Sequence, residues 1–141
     1  MILSLIKFGI LLALLIYASI KDIKSREVPD SVSGMMLILA LVGITAGDLP
    51  SMLLGMTLVF LPQYLAAVIN TAKALGGADI KLSSAAAFLL GAPRGLFALI
   101  VGLTLSVITV PIVRKVKKLP TNQPFPLVPF LAVGIIAAYL I

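Results

Sequence analysis

"ILLALLIYASIKDIKSREVPD", residues 10–30, decides what kind of molecule this chain is. It closes an apolar run over residues 2–20, interrupted only by Lys7, and then turns at once to Lys21, Lys24 and Arg26. A membrane-spanning helix needs about 20 mostly apolar residues, and a lysine near its end can lead its charge back to water. A cleaved leader carries its basic cluster before the apolar run. Here the cluster comes after it, which reads as a retained span with its N-terminus outside the cytoplasm. The same stretch sets an acid, Asp22, at the membrane boundary, where a carboxylate is costly.

The pattern repeats along the chain. Further apolar runs over residues 32–46, 51–71, 80–91, 95–113 and 125–141 alternate with "VPDS", "AGDLPS", "LGGAD", "GAPRG" and "KKLPTNQPFP", which carry turn chemistry. Pro62 is expected to kink the third run. With 61% hydrophobic and 11% charged residues, the 141-residue chain has too little polar surface for a soluble domain. The expected fold is an all-α integral membrane protein, one domain over residues 1–141 with about six transmembrane helices. Charge supports that count. Lys21, Lys24 and Arg26 fill the first break, Lys73 and Lys81 flank the third, and Arg114, Lys115, Lys117 and Lys118 fill the fifth. The second break holds no base and the fourth only Arg94. Basic loops stay in the cytoplasm, so the odd breaks lie inside and both termini are extracytoplasmic. The net charge of +6 then reads as contact with anionic lipid, with no nucleic acid as partner.

The chain has no histidine and no cysteine, which excludes serine–histidine and cysteine–histidine catalysis and thiolate metal sites. No cofactor and no metal is expected. A dyad of Lys81 and Ser83 fails because residues two apart on a helix do not face each other. Five carboxylates remain. Asp48, in "GDLP", reads as a turn residue on the outer side. Asp30 reads as a helix N-cap or its neighbour, and Glu27 as a solvated loop charge. Asp22 follows the first run and Asp79 precedes the fourth, so counting crossings brings both to the cytoplasmic face. Each also has a plain structural reading: Asp22 pairs with a nearby lysine at headgroup level, and Asp79 caps a helix N-terminus. If the two converge, they cannot easily both ionise, so they share a proton. One can then take a proton from water while the other donates to a carbonyl.

The residues around these acids resemble the type IV prepilin peptidases, membrane aspartyl proteases with a Gly-x-Gly-Asp motif. "DIKSREVPD", Asp22 to Asp30 with Pro29 before the next helix, looks like the first motif of that family. "GGADIKL", Gly76 to Leu82, looks like the second, and "PFPLVPFLAVG", Pro124 to Gly134, is similar to the proline-rich approach to the last helix. The resemblance implies an aspartic-type endopeptidase of the plasma membrane, multi-pass, with its active site facing the cytoplasm. It would remove the basic leader from prepilin-like precursors ahead of their hydrophobic helix. Asp22 and Asp79 would be the catalytic pair, and Gly76, Gly77, Ala78, Lys81 and Pro29 would support them. Gly77→Val is then expected to harm activity more than Ala78→Gly. Ala78 stands where the motif has its second glycine, and Asp30 where asparagine is common. The absence of cysteine resembles the short peptidase-only branch, Tad-type or preflagellin-like, without N-methyltransferase activity. Two rivals are a different two-aspartate signal peptidase, expected to act outside the cytoplasm, and a small proton-coupled transporter, whose acids should lie in mid-span.

Overall fold

A computed structural model describes residues 1–69, 76–121 and 125–141. These residues form six helices: α1 (Ile2–Ser25), α2 (Asp30–Leu41), α3 (Leu49–Ile69), α4 (Gly77–Leu90), α5 (Ala92–Lys117) and α6 (Val128–Leu140). No strand occurs among the described residues. The all-helical architecture agrees with the apolar runs, but the helix ends do not fall where hydropathy alone put them.

Two of those shifts move the acids. α1 continues through the basic cluster, so Asp22 lies in its last turns instead of following it. The helix ends when Arg26 turns left-handed at φ 56° and its N–H donates to the Asp22 carbonyl at 2.9 Å. α4 begins at Gly77, so Asp79 lies in its first turn instead of preceding it. Charged side chains can continue a helix that hydropathy would end, because straight-chain residues such as lysine and arginine are good helix formers. In the other direction, α2 stops at Leu41, short of residue 46. Gly43 turns the chain at φ 70°, and a Cβ there would meet the Leu3 side chain at 2.7 Å. The expected "GAPRG" break shrinks to Gly91 alone, at φ 81°, because Pro93 fits the first turn of α5. Pro62 lies inside α3.

The helices divide by length. α1, α3 and α5, with 24, 21 and 26 residues, are long and apolar enough to cross a membrane. The 12, 14 and 13 residues of α2, α4 and α6 reach about 18–21 Å at 1.5 Å per residue. That is short of a hydrocarbon core about 30 Å thick.

α4 packs against α2, α3, α5 and α6, and its residues from Ile80 to Phe88 are buried apart from Lys81. Most of them are small, and small residues let helix backbones approach. A Cβ on Gly55 of α3 would lie 2.8 Å from the Ala92 nitrogen, and one on Gly134 of α6 would collide with the Ala98 carbonyl of α5. Large side chains also face outward: Ile16, Leu54, Ile100 and Val107 are all exposed, while Leu11, Leu15, Met36 and Leu131 fill the core. An apolar exterior with small residues where helices cross closely is the arrangement a lipid solvent favours.

Contacts between helix ends fix two faces of the bundle. At one, the Lys7 ammonium donates to the Val42 carbonyl at 2.7 Å, and the Tyr139 hydroxyl donates to the Ser4 carbonyl at 3.0 Å. Asp48 lies in the turn before α3, as expected, and accepts the Thr45 N–H and hydroxyl at 2.9 and 2.7 Å. Those bonds hold its carboxyl below the usual carboxylate range. The opposite face gathers the C-terminal ends of α1 and α5 and the N-terminal ends of α2, α4 and α6.

Candidate active site

The inward face of α1 is a stripe of Leu11, Leu15, Ala18 and Asp22. The spacing of four, three and four residues keeps them on one side of the helix. Asp22 therefore enters the protein as the last member of an apolar stripe and is 7% exposed. The lysine partner expected for it is not what holds it. Its carboxylate oxygen Oδ2 accepts the Val128 N–H at 3.0 Å, across 106 positions of sequence, and the Leu127 N–H also donates to the carboxylate. Both donors belong to the start of α6. The opening N–H groups of a helix lack partners within it and carry its positive dipole end, so a carboxylate suits them. Pro126 and Pro129 have no N–H, which leaves Leu127 and Val128 as the donors between them. The proline-rich stretch thus acquires a physical role that the sequence did not disclose. Pro124 lies outside the described residues. The charge of Arg26, one turn further along α1, also acts on Asp22.

Asp79 is half-buried at the third position of α4, with Gly76 in the capping position just before the helix. Its carboxylate reaches back to the Gly76 N–H, as acids at this position of a helix do. Its own N–H donates to the Gly76 carbonyl at 3.1 Å. A Cβ on Gly76 would lie 3.2 Å from Asp79 Oδ2, whereas one on Gly77 would meet nothing within 4 Å. Ala78 packs against the hydrophobic core.

The two carboxylates come from distant parts of the chain and are close enough to act on each other electrostatically. An exposed ion pair ties α4 to α2 at the same end of the bundle. Lys81 leaves α4 for solvent and meets both oxygens of Asp30 at 3.1 Å. Asp30 is the first residue of α2, next to Pro29, which occupies the capping position, and its side chain caps nothing. Glu27 is exposed. Lys73 lies outside the described residues.

Sequence reasoning passed over a buried polar pair behind Asp79. Gln63, next to Pro62 in α3, donates to the Val59 carbonyl and to Ser83 Oγ, each at 2.9 Å. Ser83 and Ser84 donate to the Ile80 carbonyl at 3.2 and 2.6 Å. This network holds the first turns of α4 against α3. A glutamine beside a proline in an otherwise apolar run was the available signal, since a buried amide needs partners.

Chemically, the site offers two carboxylates near enough for the charge of one to act on the other at the end of a helical bundle, one of them held by backbone donors of a third helix. Compared with known families, residues 9–112 match the type IV leader peptidase family. That span includes both acids, Pro29, Gly76 to Ala78 and Lys81, and stops before α6. No curated protein and no solved structure matches the chain.

Proposed function

The chain belongs to the type IV leader peptidase family, and from that premise we propose that Asp22 and Asp79 form its catalytic pair. With one carboxylate ionised and one protonated, the ionised member takes a proton from a water molecule. The water oxygen attacks the scissile carbonyl carbon while the protonated member donates to the carbonyl oxygen. The tetrahedral intermediate then collapses, a proton passes to the leaving nitrogen, and the pair is restored. No metal or cofactor enters these steps.

The substrate is a prepilin-like precursor with a basic leader ahead of an apolar helix. The apolar helix can stay in lipid while the leader remains in the aqueous phase, and the scissile bond falls where they join. Helix ends carrying Asp22 and Asp79 sit at such a junction. Basic residues crowd the same ends, so this face is cytoplasmic by the positive-inside rule and both termini are outside. Under this reading all six helices cross, with α2, α4 and α6 shielded by their longer neighbours, and the chain is a peptidase without methyltransferase activity.

The observation that carries the reading is that Asp22 and Asp79, from distant parts of the chain, lie near enough for the charge of one to act on the other, both inside the family match. Its test is co-expression with a precursor, with leader removal read as a gel shift. Asp22→Asn and Asp79→Asn are each expected to lower cleavage by roughly 10²–10⁴-fold, the scale of general acid–base catalysis. Glu27→Gln and Asp48→Asn should retain most activity. Full activity in either variant of the pair rejects the dyad.

A further inference from the structure

Between the C-terminal ends of α1 and α5 and the start of α6 lies an open cavity of about 470 Å³. Its walls are mainly apolar and include Ile23, Phe125 and Phe130, with the two phenyl rings 6.2 Å apart. Arg26, Arg114 and Lys117 stand around it, and no carboxylate is among its described lining residues. The Arg114 guanidinium donates to the Thr121 carbonyl at 3.1 Å, which ties the end of α5 to the following loop.

We propose that this cavity binds one anionic phospholipid of the surrounding bilayer, its phosphate among Arg26, Arg114 and Lys117 and its upper chains along Ile23, Phe125 and Phe130. Charge and shape both select that occupant. A free phosphate would use the cations and leave the apolar walls wet. A zwitterionic lipid brings no net charge to three cations. A basic leader would be repelled. The position also fits, because the cavity lies at the ends of α1 and α5, two helices long and apolar enough to cross a membrane. Basic pockets between helices at that depth suit anionic headgroups.

The cavity adjoins the residues that hold Asp22. Val128 of α6 holds Asp22, while Pro129 and Phe130 of the same turn line the cavity. Arg26 lines the cavity and also acts on Asp22. A bound lipid therefore steadies the turn that orients Asp22. This coupling rests on the proposed dyad; the binding itself does not.

The chain has no tryptophan, so Phe130→Trp gives a single reporter. Phe125→Trp replaces it if the first fails gel filtration as a folded protein. In nanodiscs, brominated phosphatidylglycerol is expected to quench the reporter well below the mole fraction needed for brominated phosphatidylcholine. Each cation neutralised in Arg26→Gln/Lys117→Gln should reduce that preference about fivefold. Lys21→Gln/Lys24→Gln, outside the cavity, should leave it unchanged. Equal quenching by the two lipids overturns the site. So does equal loss in the Lys21/Lys24 variant, which would mean diffuse surface attraction, or abolition by inorganic phosphate, which would mean a free-anion site. Cleavage is measured separately: dependence on phosphatidylglycerol supports the coupling, and indifference to it overturns the coupling alone.

Discussion

At the scale of single residues, Asp22 and Asp79 are oriented by different devices. Asp22 continues a buried stripe and is held by N–H groups from another helix. Asp79 folds back on its own helix start at Gly76. The glycines before Asp79 are therefore unequal. The motif suggested that Gly77 must stay small, but a Cβ there meets open space, while one on Gly76 presses on the Asp79 carboxylate at 3.2 Å. Gly76→Val should lower cleavage by about ten- to a hundredfold, since small misplacements of a reacting group carry penalties of that order. Gly77→Ala should stay within a few-fold of the parent. Initial rates per folded enzyme decide this, and equal rates for the two variants would remove the steric role of Gly76.

At the scale of elements, the short helix α4 is held where large side chains cannot fit. Ala87 lies against Gly95 of α5, and α3 crosses the α4–α5 junction at Gly55. α6 meets α5 in the same manner through Gly134 and Ala98. A side chain at Gly134 points into backbone, which cannot rotate away as a flexible side chain could. Gly134→Val is thus expected to cost about 1–3 kcal/mol as an overpacking change, read as a lower unfolding midpoint in detergent. Because α6 also carries the Val128 N–H to Asp22, the same variant should lose cleavage even in its folded fraction. A variant of parental stability would mean that α5 and α6 are not packed as closely as described.

At the scale of the whole molecule, alternating helix ends give the bundle one face with both acids and another with both termini. The first face carries the C-terminal ends of α1 and α5, and with them Lys24, Arg26, Lys115 and Lys117. Single cysteines can be introduced into this cysteine-free chain and challenged with a membrane-impermeant thiol reagent in intact cells. A cysteine at Gly47, in the turn before α3, should be labelled from outside. Cysteines at Lys24 and Lys117 should react only after the membrane is permeabilised. Labelling of Lys24→Cys in intact cells would invert the bundle and remove the proposed cytoplasmic substrate from reach of the acids.

Composition, apolar runs and loop charge by themselves pointed to an all-helical chain of about six helices, and the described residues form six, because burying apolar segments in lipid depends on local hydropathy and little else. They also singled out Asp22 and Asp79, since an acid beside an apolar run is costly without a purpose. Hydropathy could not locate helix ends, which depend on capping and backbone geometry: Arg26 ends α1 beyond Asp22, and Gly43 ends α2 early. Only the tertiary structure decided that α6 supplies the donors for Asp22, that Lys81 turns to Asp30 and that Gln63 braces α4 through Ser83. These contacts join residues as far as 106 positions apart. No local pattern encodes them, because which helix ends meet is set by close packing of the small residues on α3, α4, α5 and α6.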